Sequence, residues 1–234
     1  MCIKQEGRLE ILPLRVSFDK PPVGRRHVQV LSERIPKQFA ADVLAWIEKL
    51  ERVQRLKVRR IAIDAPSDYC RPGSKRRAAE QSLAEDRINC IATPSEAQFR
   101  SKILACRRFL AHDGKANRLP NANQLWMLVG FELFRTLKGR YECIETYPQA
   151  VVHQLKCAAH HKSTKRGLQR QIVAAAQVLG VSATEIRARL QTMGYGSTHD
   201  RLDAFLSAWV ASLDDRDRKA FGTPPDDAIW VPRC

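Results

Sequence analysis

Two segments of the chain combine a short apolar run with an acid and a proline. In the first, residues 61–63 read Ile-Ala-Ile, which is apolar on both faces and predicts a buried strand in the interior of a sheet. Asp64 follows at once, and Pro66 ends the strand. A carboxylate at the end of a buried strand is costly unless a metal ion, a basic partner or backbone amides compensate its charge.

The second such segment, residues 141–146, reads Tyr-Glu-Cys-Ile-Glu-Thr and is followed by Tyr147 and Pro148. It predicts another strand with an acid at its end and a proline just beyond it. We therefore expect Glu145 to play a role similar to that of Asp64.

The rest of the pattern is mostly helical. Apolar residues recur at spacings of three and four, which predicts helices; these cover about residues 37–54, 74–86, 101–110, 125–137, 149–160, 168–179, 183–192 and 199–213. Partly alternating segments at 7–18 and 27–31 predict an N-terminal β-hairpin, and the apolar segment 228–232 is interpreted as a last strand or an anchored terminus. Helices that alternate with buried strands indicate an α/β fold. Because repeats and linkers are absent from the sequence, we expect a single domain over residues 1–234.

The predicted helix 199–213 carries a third acid beside its buried face. Its apolar stripe consists of Leu202, Phe205, Leu206, Trp209, Val210 and Leu213. At about 100° per residue, Asp203 borders this stripe, and Asp200 lies one turn earlier on the same side. We therefore expect Asp203 to face along the sheet and not straight into water.

Asp64, Glu145 and Asp203 form a hypothetical metal site, with Asp200 as an auxiliary ligand. Carboxylates that lie close together repel one another, and a divalent cation relieves that repulsion. Ligand sets made only of oxygen suit Mg²⁺ or Mn²⁺, and two such ions roughly 3.5–4 Å apart promote phosphodiester hydrolysis. The alternative for each acid is a helix cap, a salt bridge at a strand end or a surface position.

Charge points to a polyanionic partner. Forty Lys and Arg residues against 25 Asp and Glu give a net charge of +15, with a pI near 9.9. Such a field favours nucleic acid, DNA or RNA. The residues assigned to nucleic-acid binding are Arg76, Arg77, Lys162, Lys165, Arg166 and Arg170. The alternative interpretation is a solvated basic surface.

Other classes of protein are disfavoured. No apolar run approaches the roughly 18 residues of a membrane span, and the seven scattered cysteines form no CxxC pair. The N-terminal residues lack the apolar core of a signal peptide, so we expect a cytoplasmic protein. No phosphate-binding glycine-rich motif and no G-x-S-x-G motif occurs, which argues against nucleotide-dependent enzymes and serine hydrolases.

Several motifs resemble, in order and rough spacing, the family of domain of unknown function 429, which is regarded as predicted nucleases with an RNase H-like fold. The matching segments are Ile-Asp-Ala-Pro at 63–66, Glu-Thr-Tyr-Pro at 145–148, the basic run 162–170, His-Asp-Arg-Leu-Asp-Ala at 199–204 and Ile-Trp-Val-Pro at 229–232. The resemblance implies an RNase H-like mixed sheet flanked by helices. It also implies a metal-dependent nuclease in which Asp64, Glu145 and Asp203 act as metal ligands and catalytic residues, with Asp200 as an auxiliary ligand.

The chain departs from the family's pattern at its start. The family's fold normally begins with a strand that carries a first aspartate, and we find no such strand in this sequence. Asp19 follows a predicted strand but lies beside Pro21 and Pro22, in a turn. A metal site without that aspartate would bind its ion weakly. The alternative function is therefore a nucleic-acid-binding protein of the same fold with impaired catalysis.

Overall fold

The computed structural model describes residues 2–5, 8–11, 28–158, 164–192 and 196–233. The stretch 12–27, to which most of the predicted N-terminal hairpin belongs, lies outside the described residues, and so does Lys162.

The described strands form a four-stranded mixed sheet and a separate two-stranded ribbon. The ribbon consists of β1 (Cys2–Gln5) and β2 (Arg8–Ile11), which pair antiparallel. The main sheet consists of β3 (Arg60–Ile63), β4 (Glu142–Thr146), β5 (Arg218–Thr223) and β6 (Asp227–Pro232). Its order is β3-β4-β6-β5, and only the pair formed by β5 and β6 is antiparallel.

Helices flank this sheet, which confirms the predicted α/β class with a mixed sheet. They are α1 (Arg34–Gln54), α2 (Ala78–Glu85), α3 (Glu96–Ala111), α4 (Met127–Leu137), α5 (Pro148–Gln154), α6 (Lys165–Leu179), α7 (Ala183–Thr192) and α8 (Thr198–Ser212). None of these described helices is long and apolar enough to cross a bilayer.

Two predictions of local structure were wrong. Val28–Leu31, predicted as a strand, is a short 3₁₀ helix whose residues Val30 and Leu31 pack beside α1. Strand β5 was not predicted at all, because its sequence Arg-Lys-Ala-Phe-Gly-Thr begins with two cations. Pairing with β6 and burial of Phe221 stabilise it instead.

Apolar side chains cover both faces of the main sheet. One core contains α1, α3 and α4 together with Ile63. The other contains α2, α5, α6, α7 and α8 together with Ile144, Ile229 and Val231. Because side chains alternate along a strand, Ile63 and Ala62 belong to opposite faces, and Asp64 follows Ala62 toward α8.

The position of β3 in the sheet differs from the prediction. Its apolar sequence predicted an interior strand, but within the described residues β3 pairs only with β4 and forms an edge of the sheet. Accordingly, Ile61 and Ala62 are only half-buried, whereas Ile63 is buried.

Candidate functional site

Asp64 and Asp203 line the same cavity, which lies between β3 and α8 and has a volume of about 510 Å³. Asp64 is exposed, in the turn after β3, whereas Asp203 is only 6% exposed. Asp200 also lines this cavity. The structure thus brings together the acid of the first strand and the acids of the last helix.

Hydrogen bonds from Arg60 fix the height of α8 along β3. The guanidinium of Arg60 donates to the carbonyl oxygens of Ala211 and Leu213, both at 2.9 Å. From Ala211 back to Asp203 the helix rises about 12 Å, and from Arg60 to Asp64 the strand rises about 13 Å. Asp64 and Asp203 therefore lie at about the same position along the direction of β3.

A capping box positions the start of α8. The hydroxyl of Ser197 accepts a hydrogen bond from the backbone N–H of Asp200 at 3.4 Å, and a carboxylate oxygen of Asp200 accepts one from the backbone N–H of Ser197 at 3.1 Å. The sequence predicted Asp200 as an auxiliary ligand. Its carboxylate has a structural role at the helix start, at the rim of the cavity.

Both acids of the cavity affect the pKa of Tyr147. Burial raises the pKa of Tyr147 to about 12, and negative charge on Cys90, Asp64 and Asp203 contributes to the same shift. Its hydroxyl donates a hydrogen bond of 2.8 Å to the carbonyl of Asn89. A phenol therefore lies within electrostatic reach of both carboxylates.

Glu145 does not join this group. In the parallel pair of β3 and β4, Glu145 lies opposite Ile63, so its side chain points to the same face as Ile63 and away from Asp64. It is 5% exposed and contributes to a different cavity, of about 350 Å³, beside α4. The prediction of a role similar to that of Asp64 is not supported by this geometry.

The carboxylate of Glu145 is bound by protein groups. Arg77 donates to both of its oxygens, one of them at 2.8 Å, and the backbone N–H of Ser67 donates at 2.9 Å. Burial raises the pKa of Glu145, while Arg77 and Ser67 act in the opposite direction. Burial also disfavours the charged form of Arg77, but the attraction of Glu145, Glu80 and Asp227 outweighs it and raises the pKa of Arg77.

The predicted nucleic-acid contacts separate into two groups. Arg77 is 5% exposed and belongs to a buried ion cluster, so its predicted surface role is wrong. Arg76 is half-buried, and its guanidinium lies 3.6 Å from the sulfur of Cys90. Lys165, Arg166 and Arg170 are exposed on the first turns of α6, which leaves them available to a polyanion.

The described residues contain no group of three or more His, Cys, Asp or Glu side chains arranged to hold a metal ion. The predicted set of Asp64, Glu145 and Asp203 therefore does not assemble. The pair Asp64 and Asp203 is compatible with Mg²⁺ or Mn²⁺, because Mg²⁺ is commonly held by one or two carboxylates together with waters and substrate phosphates.

The distance to the next proline in the sequence distinguishes the two acids at the strand ends. Asp64 lies two residues before Pro66, whereas Glu145 lies three residues before Pro148. When the prolines are aligned, as the register of β3 and β4 aligns them, Thr146 falls opposite Asp64. Thr146, which was not singled out from the sequence, is 1% exposed, and its hydroxyl has no hydrogen-bond partner within the described residues.

The fold and the cavity define an α/β protein with two carboxylates between an edge strand and the helix that covers it. A family model described as "Protein of unknown function (DUF429)" matches residues 18–227, and the chain belongs to this family. No curated protein and no solved structure is significantly similar to the chain.

Proposed function

We propose that the protein is a metal-dependent nuclease, whose site is the cavity that Asp64 and Asp203 share. The observation that carries the proposal is this shared cavity between β3 and α8. The proposal differs from the sequence-based hypothesis in two respects: Glu145 has a structural role, and two carboxylates hold the ion.

The charges around the cavity suit a nucleic-acid substrate. Lys57 and Arg59 are exposed and line the same cavity as the acids, so they supply countercharge for phosphates. Asp64 and Asp203 would hold Mg²⁺ or Mn²⁺. When bound, such an ion neutralises phosphate charge and lowers the pKa of a water molecule.

A cleavage assay with matched variants tests this proposal. Labelled single-stranded, double-stranded and branched DNA and RNA are incubated with the protein and Mg²⁺ or Mn²⁺. We expect Asp64→Asn and Asp203→Asn to lower cleavage on the order of 100-fold or more. The control is Asp113→Asn, because Asp113 is an exposed acid in the loop after α3. Cleavage by Asp64→Asn at the rate of the parent would refute the site.

A second function, nucleic-acid binding without cleavage, is favoured by the net charge of +15. Fluorescence anisotropy at several salt concentrations distinguishes the two. Binding that weakens steeply with salt, needs no divalent metal and is equal in Asp64→Asn and the parent supports this alternative when no cleavage is detected.

A further inference from the structure

Helices α6 and α7 follow one another along the chain with only residues 180–182 between them. Two helices that are joined by three or four residues, often with a glycine in the turn, make up the helix-turn-helix motif. In DNA-binding proteins the second helix of this motif lies in the major groove. We propose that α6 and α7 form such a unit and that α7 reads the base sequence of double-stranded DNA.

Hydrogen bonds define the turn between the two helices. Gly180, at the end of α6, has a φ of +64°, in the left-handed region that glycine adopts readily. The backbone N–H of Val181 donates to the carbonyl oxygen of Ala176 at 3.0 Å. The hydroxyl of Ser182 accepts a hydrogen bond of 3.0 Å from the backbone N–H of Glu185, which caps the start of α7. The direction of α7 relative to α6 is therefore fixed.

The inner sides of both helices are anchored in the core. Ile172 and Ala175 of α6 and Ile186 and Leu190 of α7 are at most 2% exposed. Near the end of α7, the carbonyl oxygen of Leu190 accepts a hydrogen bond of 3.0 Å from the guanidinium of Arg201 in α8. A recognition surface on a rigid helix is more precise than one on a loop, and α7 meets this requirement.

The outer face of α7 carries side chains that suit the edges of bases. Thr184, Arg187, Ala188 and Gln191 recur at spacings of three and four, and all four are exposed. In the major groove, arginine pairs with guanine and glutamine pairs with adenine. Threonine bonds to either, and alanine contacts the methyl group of thymine. The exposed stripe of α7 therefore has the chemistry of a recognition helix.

The charge of the two helices suits the phosphates that border the groove. Residues 164–192 contain five Arg and Lys residues and a single acid, Glu185, which pairs with Arg189 at 2.5 Å. The cations that are exposed on the first turns of α6 are Lys165, Arg166 and Arg170. The first helix of a helix-turn-helix crosses the DNA backbone, so we assign these three side chains to phosphate contacts.

Double-stranded DNA is the partner that this surface favours over RNA. The major groove of B-form DNA is about 12 Å wide and admits an α-helix, whereas that of A-form RNA is deep and narrow. From Thr184 to Gln191 the helix rises about 10 Å, which corresponds to about three base pairs. Sequence reading by α7 goes beyond the proposed nuclease and does not depend on it, because α7 contributes no residue to the cavity of Asp64 and Asp203.

Selection from a random library tests this inference on the 234-residue chain. The probe is a short DNA duplex whose central base pairs are randomised, and EDTA is present so that metal-dependent cleavage cannot occur. Bound and unbound duplexes are sequenced. We expect the chain to enrich a core of about three base pairs, and we expect no enrichment from a library of RNA duplexes.

Variants separate sequence reading from attraction by charge. Gln191→Ala, which keeps the net charge, should lower the affinity for the selected DNA about tenfold and leave that for unselected DNA unchanged. Arg187→Ala should change the preferred base at one position. Lys165→Ala should weaken binding to all sequences and reduce the salt slope by about one. The control is Arg108→Ala, which removes an exposed cation from α3 and should retain the selected sequence and the affinity. Circular dichroism checks that each variant is folded.

Three results would overturn this inference: no enriched sequence, RNA duplexes bound as tightly as the selected DNA, or an unchanged sequence preference in both Arg187→Ala and Gln191→Ala. The proposed nuclease stands or falls separately. A chain that selects a sequence in EDTA but does not cut DNA or RNA with Mg²⁺ or Mn²⁺ supports sequence reading and refutes the nuclease. Cleavage without any sequence selection gives the reverse result.

Discussion

The strongest test of the corrected site is the replacement of Glu145 by glutamine. The sequence ranked Glu145 with Asp64 as a metal ligand, but in the structure it neutralises Arg77 in the interior. Both residues are 5% exposed. We therefore expect Glu145→Gln to reduce stability, and Asp64→Asn to leave stability unchanged while it lowers the proposed cleavage about 100-fold or more.

The expected loss of stability in Glu145→Gln depends on the buried charge of Arg77, which the neutral amide no longer compensates. Breaking a buried ion pair by changing one partner usually costs about 3–5 kcal/mol, because the other charge stays buried. In Glu145→Gln the guanidinium of Arg77 keeps Glu80 at 3.4 Å and Asp227 at 3.8 Å. The loss is therefore expected near the lower limit, about 3 kcal/mol. Asp64→Asn, at an exposed turn, should change the free energy of unfolding by less than about 0.5 kcal/mol.

Urea unfolding, followed by circular dichroism, measures these free energies, and the cleavage assay is run where both variants are folded. Glu145→Gln should lose stability, whereas Asp64→Asn should keep its stability and lose cleavage. If Glu145→Gln has the stability of the parent and no longer cleaves, Glu145 acts in catalysis and its assignment as the neutraliser of Arg77 is wrong.

Three further predictions test the neighbourhood of the cavity, a buried phenol and a close backbone contact. Asp203→Asn should lower the pKa of Tyr147 below about 12 in an NMR titration of labelled tyrosine, because one negative neighbour is removed while burial remains; an unchanged pKa would separate the two residues. Burial and a carboxylate hydrogen bond raise the pKa of Tyr141 to about 12, above its unfolded value near 10, so its contribution to stability is complete below pH 10 and is lost as the pH rises toward 12. The free energy of unfolding should therefore fall over this range more steeply in the parent than in Tyr141→Phe, and parallel curves would contradict the assignment. Gly222→Ala should cost about 2 kcal/mol or more, since its φ is +95° and a new Cβ would overlap the backbone of α2 and β6, whereas Gly139→Ala has open space and should be nearly neutral in the same urea experiment.

Local periodicity was sufficient to predict most of the helices. The apolar stripe of the segment 199–213 placed α8 within one residue at each end, and it placed Asp203 beside the buried face. These features depend on residues three and four apart, which a single sequence contains in full. The edge position of β3 could not be predicted in this way, because it depends on which strands pair with it.

The role of Arg77 shows where the sequence is insufficient. It stands in a polar, basic segment, which indicated a surface position. Its partner Glu145 lies 68 residues further along the chain, and only the tertiary fold brings the two together. The same holds for Arg218, which is buried because it contacts Glu142 and the ring of Trp230.

The order of strands in the sheet has a consequence for folding. Strand β6 is the last in chain order, yet it occupies an interior position between β4 and β5. Asp227, at its start, also accepts hydrogen bonds from the first two backbone N–H groups of α2. The sheet therefore cannot be completed during synthesis until residues 227–232 have been made. Pairing between strands that are far apart in the sequence also slows folding. A nascent chain that stops before residue 227 would expose the unpaired edge of β4 and be prone to aggregation.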